Sequence, residues 1–166
     1  RAQAVVIDPI GDVIAAGRTT LVSALWDFTV VKLARQTGAE VWRHTITAST
    51  SGAADSIAID TDATGDVAYA TATPPSSVHL NFLVAKLSGL NGNELWRREI
   101  NGSSDSEDVA RVVAIDASDD VIAAGYTNNE NPGTGQDFTV VSNNLIDLLY
   151  SDLSWQGLKI YCFSLS

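Results

Sequence analysis

Residues 8–46 read DPIGDVIAAG (8–17), RTTLVSALW (18–26), DFTVVKL (27–33), ARQ (34–36) and TGAEVWRHTI (37–46), and most of this then recurs. The phrases return as DATGDVAYAT (62–71), NFLVAKL (81–87) and NGNELWRREI (91–100). The first two return once more as DASDDVIAAG (116–125) and DFTVV (137–141). Asp12, Asp66 and Asp120 stand 54 residues apart, as do Phe28 and Phe82, and Trp42 and Trp96, while Phe138 follows Phe82 by 56. Three kinds of anchor on one period define an internal repeat, and repeats of this length are supersecondary units that stack on their own copies.

Each unit reads as four strands, A to D. Strand A is a short β-branched run ended by Asp: AVVID, SIAID and RVVAID. An Asp/Gly-rich turn follows (9–11, 61–65, 117–119), with residues suited to a hairpin. Strands B (DVIAAG, DVAYAT, DVIAAG) and C (DFTVVKL, NFLVAKL, DFTVV) run apolar without alternation, as strands covered on both faces do. Strand D (AEVWRHTI, NELWRREI) is entered through turns at Gly38 and Gly92, where a positive φ is expected. Four antiparallel strands per unit place the A–B and C–D turns on one face and the B–C and D–A loops on the other. The B–C loops (18–26, 72–80, 127–136) differ in every copy, so difference is concentrated on one face.

Composition bounds the function. The chain is 166 residues long with a formal charge of −10, which argues against nucleic acid or an anionic membrane surface as partner. The single cysteine, Cys162, allows no intrachain disulfide, and no apolar run approaches the length of a membrane span. The sequence begins in mid-pattern, so further blades of the same chain are an expected partner of the blades seen here.

The strings TGAEVWR and NGNELWR resemble the Thr-Gly-x-x-x-Trp signature of pyrroloquinoline-quinone-like propeller repeats. The wider pattern is similar to secreted bacterial β-propeller repeat proteins, including the seven-bladed type. The resemblance covers roughly residues 2–141 and implies an all-β partial propeller with blades at about 1–50, 51–105 and 106–141. It also implies an extracellular or periplasmic location. The quinone-docking form of the motif carries Ala and Asp ten and eight residues before the Trp; here Lys32 and Ala34, and Lys86 and Ser88, stand there. No cofactor is therefore expected. The tail, 142–166, leaves the pattern: it reads as a degenerate fourth strand, as a short helix around 145–153, or as a segment unrelated to the blades.

Asp12, Phe28, Gly38, Trp42, Asp66, Phe82, Gly92, Trp96, Asp120 and Phe138 are read as structural repeat residues, the three Phe filling one inter-blade layer. Lys32 and Lys86 are expected to lay their stems along the sheet, with the ammonium near a carboxylate such as Glu40 or Glu94. Asp60, Asp62 and Asp66 faintly resemble a calcium loop, which Asp105, Glu107 and Asp108 could join, although Asx-rich turns and a solvated loop explain them better. His44, matched by Arg98 in the next unit, is expected to face solvent, and neither it nor His79 has a second ligand at metal spacing. Asn101-Gly-Ser matches a glycosylation acceptor. Arg18, Trp26, His79, Asn128 and Asn131 are the candidate binding-loop residues. The expected function is a non-catalytic scaffold or binding module for protein or carbohydrate. Alternatives are a piece of a quinone-dependent dehydrogenase or a propeller like the outer-membrane assembly factors.

Overall fold

The computed structural model describes residues 1–19, 27–47, 57–73, 79–104, 106–129, 136–142 and 158–162. These residues are all-β, in three sheets with four, four and three antiparallel strands, the third extended by one parallel edge strand. The first sheet holds β1 (Ala2–Ile7), β2 (Val13–Thr19), β3 (Asp27–Leu33) and β4 (Glu40–Ile46), in chain order. The second repeats it with β5 (Ile57–Thr61), β6 (Val67–Thr73), β7 (Asn81–Leu87) and β8 (Glu94–Ile100). The third holds β9 (Val109–Ile115), β10 (Val121–Asn128) and β11 (Gln136–Ser142). In place of an antiparallel fourth strand it gains β12 (Leu158–Cys162), which runs parallel to β11 with Phe138 opposite Leu158. Of the readings of the tail, a strand is therefore present but in the other direction; the helix read at 145–153 lies outside the described residues.

Local chemistry explains the repeated geometry. Asp8, Asp62 and Asp116 end the first strands, and each Oδ1 accepts N–H groups two and four residues on, closing an Asx turn. The turns need a left-handed residue, supplied by Gly11 and Gly65 at φ 90° and, in the third unit, by Asp119 at φ 71°. Gly38 and Gly92 adopt φ 69° and 72° in the C–D turns, as their positions led us to expect. Both complete sheets carry the same bulge, in which Val41 and Leu95 are the extra residues between Glu40 and Trp42 and between Glu94 and Trp96.

The sheets stack face to face, and their first strands lie against one another, β1 with β5 and β5 with β9. One apolar layer joins Ile14, Phe28, Val30 and Trp42 of the first sheet to Val67, Tyr69, Leu83 and Leu87 of the second. Phe28 stacks on Tyr69 with ring centroids 4.7 Å apart. A second layer joins Phe82 and Val84 to Ala110, Val121, Ala123 and Val141 of the third sheet. Phe138 corrects the expectation of one shared layer. It is 53% exposed, because the face it occupies has no sheet against it among the described residues.

Candidate functional site

The two ends of the stack are distinct. Arg35 N–H bonds Asp12 Oδ1 at 2.9 Å and Gly89 N–H bonds Asp66 Oδ1 at 2.8 Å, tying each C–D turn to the A–B turn of its own sheet. The recurring Asp of each unit thus fastens two turns on one end. Asp120 holds the same place in the third unit.

Behind these turns lie two buried ammonium groups. Lys32 Nζ sits 2.7 Å from Asp8 and 3.5 Å from Asp12, and donates to Gly89 O of the next sheet at 3.1 Å. Trp42 Nε1 donates to the same carbonyl at 3.0 Å. Lys86 Nζ lies 2.8 Å from Asp62 and 2.6 Å from Asp119 of the third sheet. The expected partners, Glu40 and Glu94, are instead taken by Arg43 and Arg97 three residues along. The bulge is the reason: the extra residue returns position i+3 to the side of the strand that Glu occupies.

Burial disfavours charge on Asp62, yet Lys86 and the Thr64 hydroxyl and N–H more than offset it and hold the carboxyl below its ordinary range. Asp8 is shifted the same way: burial opposes it, while Lys32 and the N–H groups of Asp12 and Ile10 outweigh the burial. Burial also opposes the Lys86 charge, but Asp119 and Asp62 push its pKa above the usual lysine value. The third unit breaks the series, with buried Ser142 at the lysine position.

The acidic residues that resemble a calcium loop are committed to the seam and to the turns beside it. Asp60 Oδ2 accepts from Ile115 N at 2.8 Å, crossing to the third sheet, and Asp60 Oδ1 accepts from Thr61 N at 2.9 Å. Asp62 and Asp66 are used as above. Among the described residues no three His, Cys, Asp or Glu side chains are grouped as a metal would require.

The opposite end carries the divergent loops. Asp108 is fully buried, correcting its reading as a solvated loop residue; it accepts from Gly102 N and Asn128 N, both at 2.6 Å. Asp108 N donates to Leu80 O at 2.7 Å, linking this connection to the preceding sheet. Asn128 Nδ2 bonds Glu107 O, so the candidate binding residue pins two loops together. Asn129 bridges Ser103 N, at 3.0 Å, to Asp137 Oδ2, at 2.7 Å. No sequence signal had marked Asn129 or Asp137; a buried Asp or Asn at the head of strand C in every unit (Asp27, Asn81, Asp137) was the available one. Arg18 pairs with Arg1 through their backbones, at 2.7 and 2.9 Å. His79 is half-buried just before β7, and Trp26, Asp105 and Asn131 lie outside the described residues.

His44 also departs from its expected solvent-facing place. It is half-buried at the first seam, 6.1 Å from the Tyr69 ring and 3.9 Å from Glu94. Burial depresses its pKa, with Arg97 acting the same way and Glu94 opposing. Trp96, unlike Trp42, is only half-buried, at the margin of the second layer.

No protein-family model matches the chain, and no curated protein is similar to it. Among the described residues no helix is long and apolar enough to cross a membrane.

Proposed function

We propose that the three sheets are blades of a β-propeller and that the chain is a non-catalytic scaffold and binding module. It would present its B–C and D–A loops to an extracellular or periplasmic protein or carbohydrate. One observation carries this reading. The polar side chains that recur between units, Asp8, Asp12 and Lys32 with Asp62, Asp66 and Lys86, together with the Trp42 indole, are spent on closing turns and joining sheets. What remains free to differ lies at the other end, where hydrogen bonds through Asp108, Asn128 and Asn129 fasten the strand ends from which loops emerge. A rigid platform bearing variable loops is a common design for recognition surfaces. Contact between successive first strands supports the blade reading, since blades converge on one strand and splay at the other.

The test compares the chain with a variant in which 20–26, 74–78 and 130–135 are replaced by Gly/Ser linkers. Both are screened on immobilised glycan and surface-protein panels. Binding by the parent, lost in the linker variant at unchanged Tm, is the expected result; a ligand held equally by both refutes the loop assignment. Uptake of pyrroloquinoline quinone with calcium, read as bound quinone absorbance, would favour a dehydrogenase instead.

A further inference from the structure

The two outer faces of the stack are counterparts of faces that the chain buries within itself. On the inner face of the third sheet, Ala123 pairs with Val141 and Gly125 with Thr139, and Ala123 and Val141 share an apolar cluster with Phe82. The first sheet repeats these residues in the same register: Ala15 pairs with Val31 and Gly17 with Thr29. There they line an open hollow of about 120 Å³, rimmed by Arg18 and Arg43. Val5, beside Ala15 on β1, is 68% exposed, whereas its counterpart Ile59 packs in the first apolar layer.

The complementary knob sits at the far end. Phe138 stands opposite Tyr126 as Phe28 stands opposite Arg18 and Phe82 opposite Ala72, so the three rings hold one register position. Phe28 and Phe82 are each buried against the next sheet, and Phe138 is exposed. Val112 on the same outer face is 57% exposed, while its counterpart Ala58 packs against the second layer.

We infer that the third sheet of one copy docks on the first sheet of a second copy, with Phe138 seated in the hollow at Ala15, Gly17, Thr29 and Val31. The occupant is a second copy because this chain carries both the knob and, at Ala15 and Val31, the counterparts of the Ala123–Val141 pair that packs with Phe82. The contact joins two different patches, so it is head-to-tail: a pair closes a ring of six sheets, or the contact propagates. The lysine seam has no counterpart here, since Ser142 replaces the lysine, so the association rests on apolar packing and depends on concentration.

Sedimentation velocity over a range of protomer concentrations tests this, with Phe138→Asp and Ala15→Glu as variants. Both positions are solvent-accessible in the single chain, and circular dichroism checks that each variant keeps its sheet; Val112→Asp is a second variant of the knob face. The wild type is expected to rise from 17.6 kDa toward twice that mass or beyond, and each variant alone to stay monomeric. A mixture of Phe138→Asp and Ala15→Glu retains one intact knob and one intact socket and should form a one-to-one pair that grows no further. A wild type that stays monomeric throughout, a Phe138→Asp chain that assembles as well as the parent, or a mixture that stays monomeric overturns the proposal.

Discussion

Replacing Lys86 by Met removes the ammonium that joins the second sheet to the third while keeping most of the stem's volume. Asp62 is then left buried; its Oδ1 keeps the turn N–H groups, but Oδ2 meets Lys86 at 2.8 Å and makes no other hydrogen bond. Stranding one member of a buried ion pair costs about 3–5 kcal/mol. Asp119 adds little, because its side chain is 58% exposed and such pairs contribute at most about 1 kcal/mol. The turn bonds to Oδ1 soften the loss, so we expect about 3 kcal/mol. Urea unfolding at one fixed protomer concentration reads this as a fall in midpoint of about 1–2 M, given a slope of about 2 kcal/mol per M. The double variant Asp62→Asn/Lys86→Met removes both charges and should recover most of the loss, since a neutral pair carries no stranded charge. A single variant within about 0.5 kcal/mol of the parent, or a double variant no better than the single, would refute the seam as described.

Gly38→Ala and Gly92→Ala form a matched pair. Both sit at positive φ and should lose about 1–2 kcal/mol, but a Cβ at Gly92 would lie 2.7 Å from the Trp42 ring while Gly38 has open space, so urea unfolding should show Gly92→Ala about 1–3 kcal/mol worse. Trp42→Phe loses the 3.0 Å bond to Gly89 O, which Lys32 still serves, and should cost about 1–2 kcal/mol in the same assay. The folded-state pKa of His44 lies below 6.5, so below that pH the unfolded chain binds the proton more readily and stability falls with acidification; His44→Phe should flatten the change in Tm between pH 7.5 and 5.5. Asp8 and Asp62, held below 3.8 in the fold, add stability that is complete above that value and lost as pH falls through it toward their folded pKa values, seen as a second drop in Tm that Asp62→Asn reduces.

Strands, turns and the opposition of the two ends were legible because they depend on neighbours in sequence: an Asp before a left-handed glycine, an apolar run, a 54-residue period. What eluded the sequence depends on a single extra residue or on the neighbouring sheet. The Val41 and Leu95 bulges turned Glu40 and Glu94 toward Arg43 and Arg97, leaving the lysines to Asp8, which had read only as a strand end, and to Asp62, which had read as part of an Asx-rich turn faintly like a calcium loop. His44 and Arg98 share a position in the repeat, yet His44 meets Tyr69 of the next sheet, and no alignment of the units reveals that. Phe138 matches Phe28 in its unit and differs only in what lies beyond it.

The left-handed turn position has a consequence for how such a chain can change. Near-identical strings such as DVIAAG and DFTVV favour unequal exchange, in which units are lost, gained or moved. Here the units are not interchangeable. Lys32 bonds the Gly89 carbonyl of its successor, while Lys86, held by Asp62 in its own sheet, reaches across to the carboxylate of Asp119, standing where the other units have Gly11 and Gly65. A rearranged chain placing the first unit after the second would offer Lys86 a glycine with no side chain. The array therefore has a word order, in which each junction is fitted to its own neighbour and a shuffled one would lose the carboxylate that reaches across it.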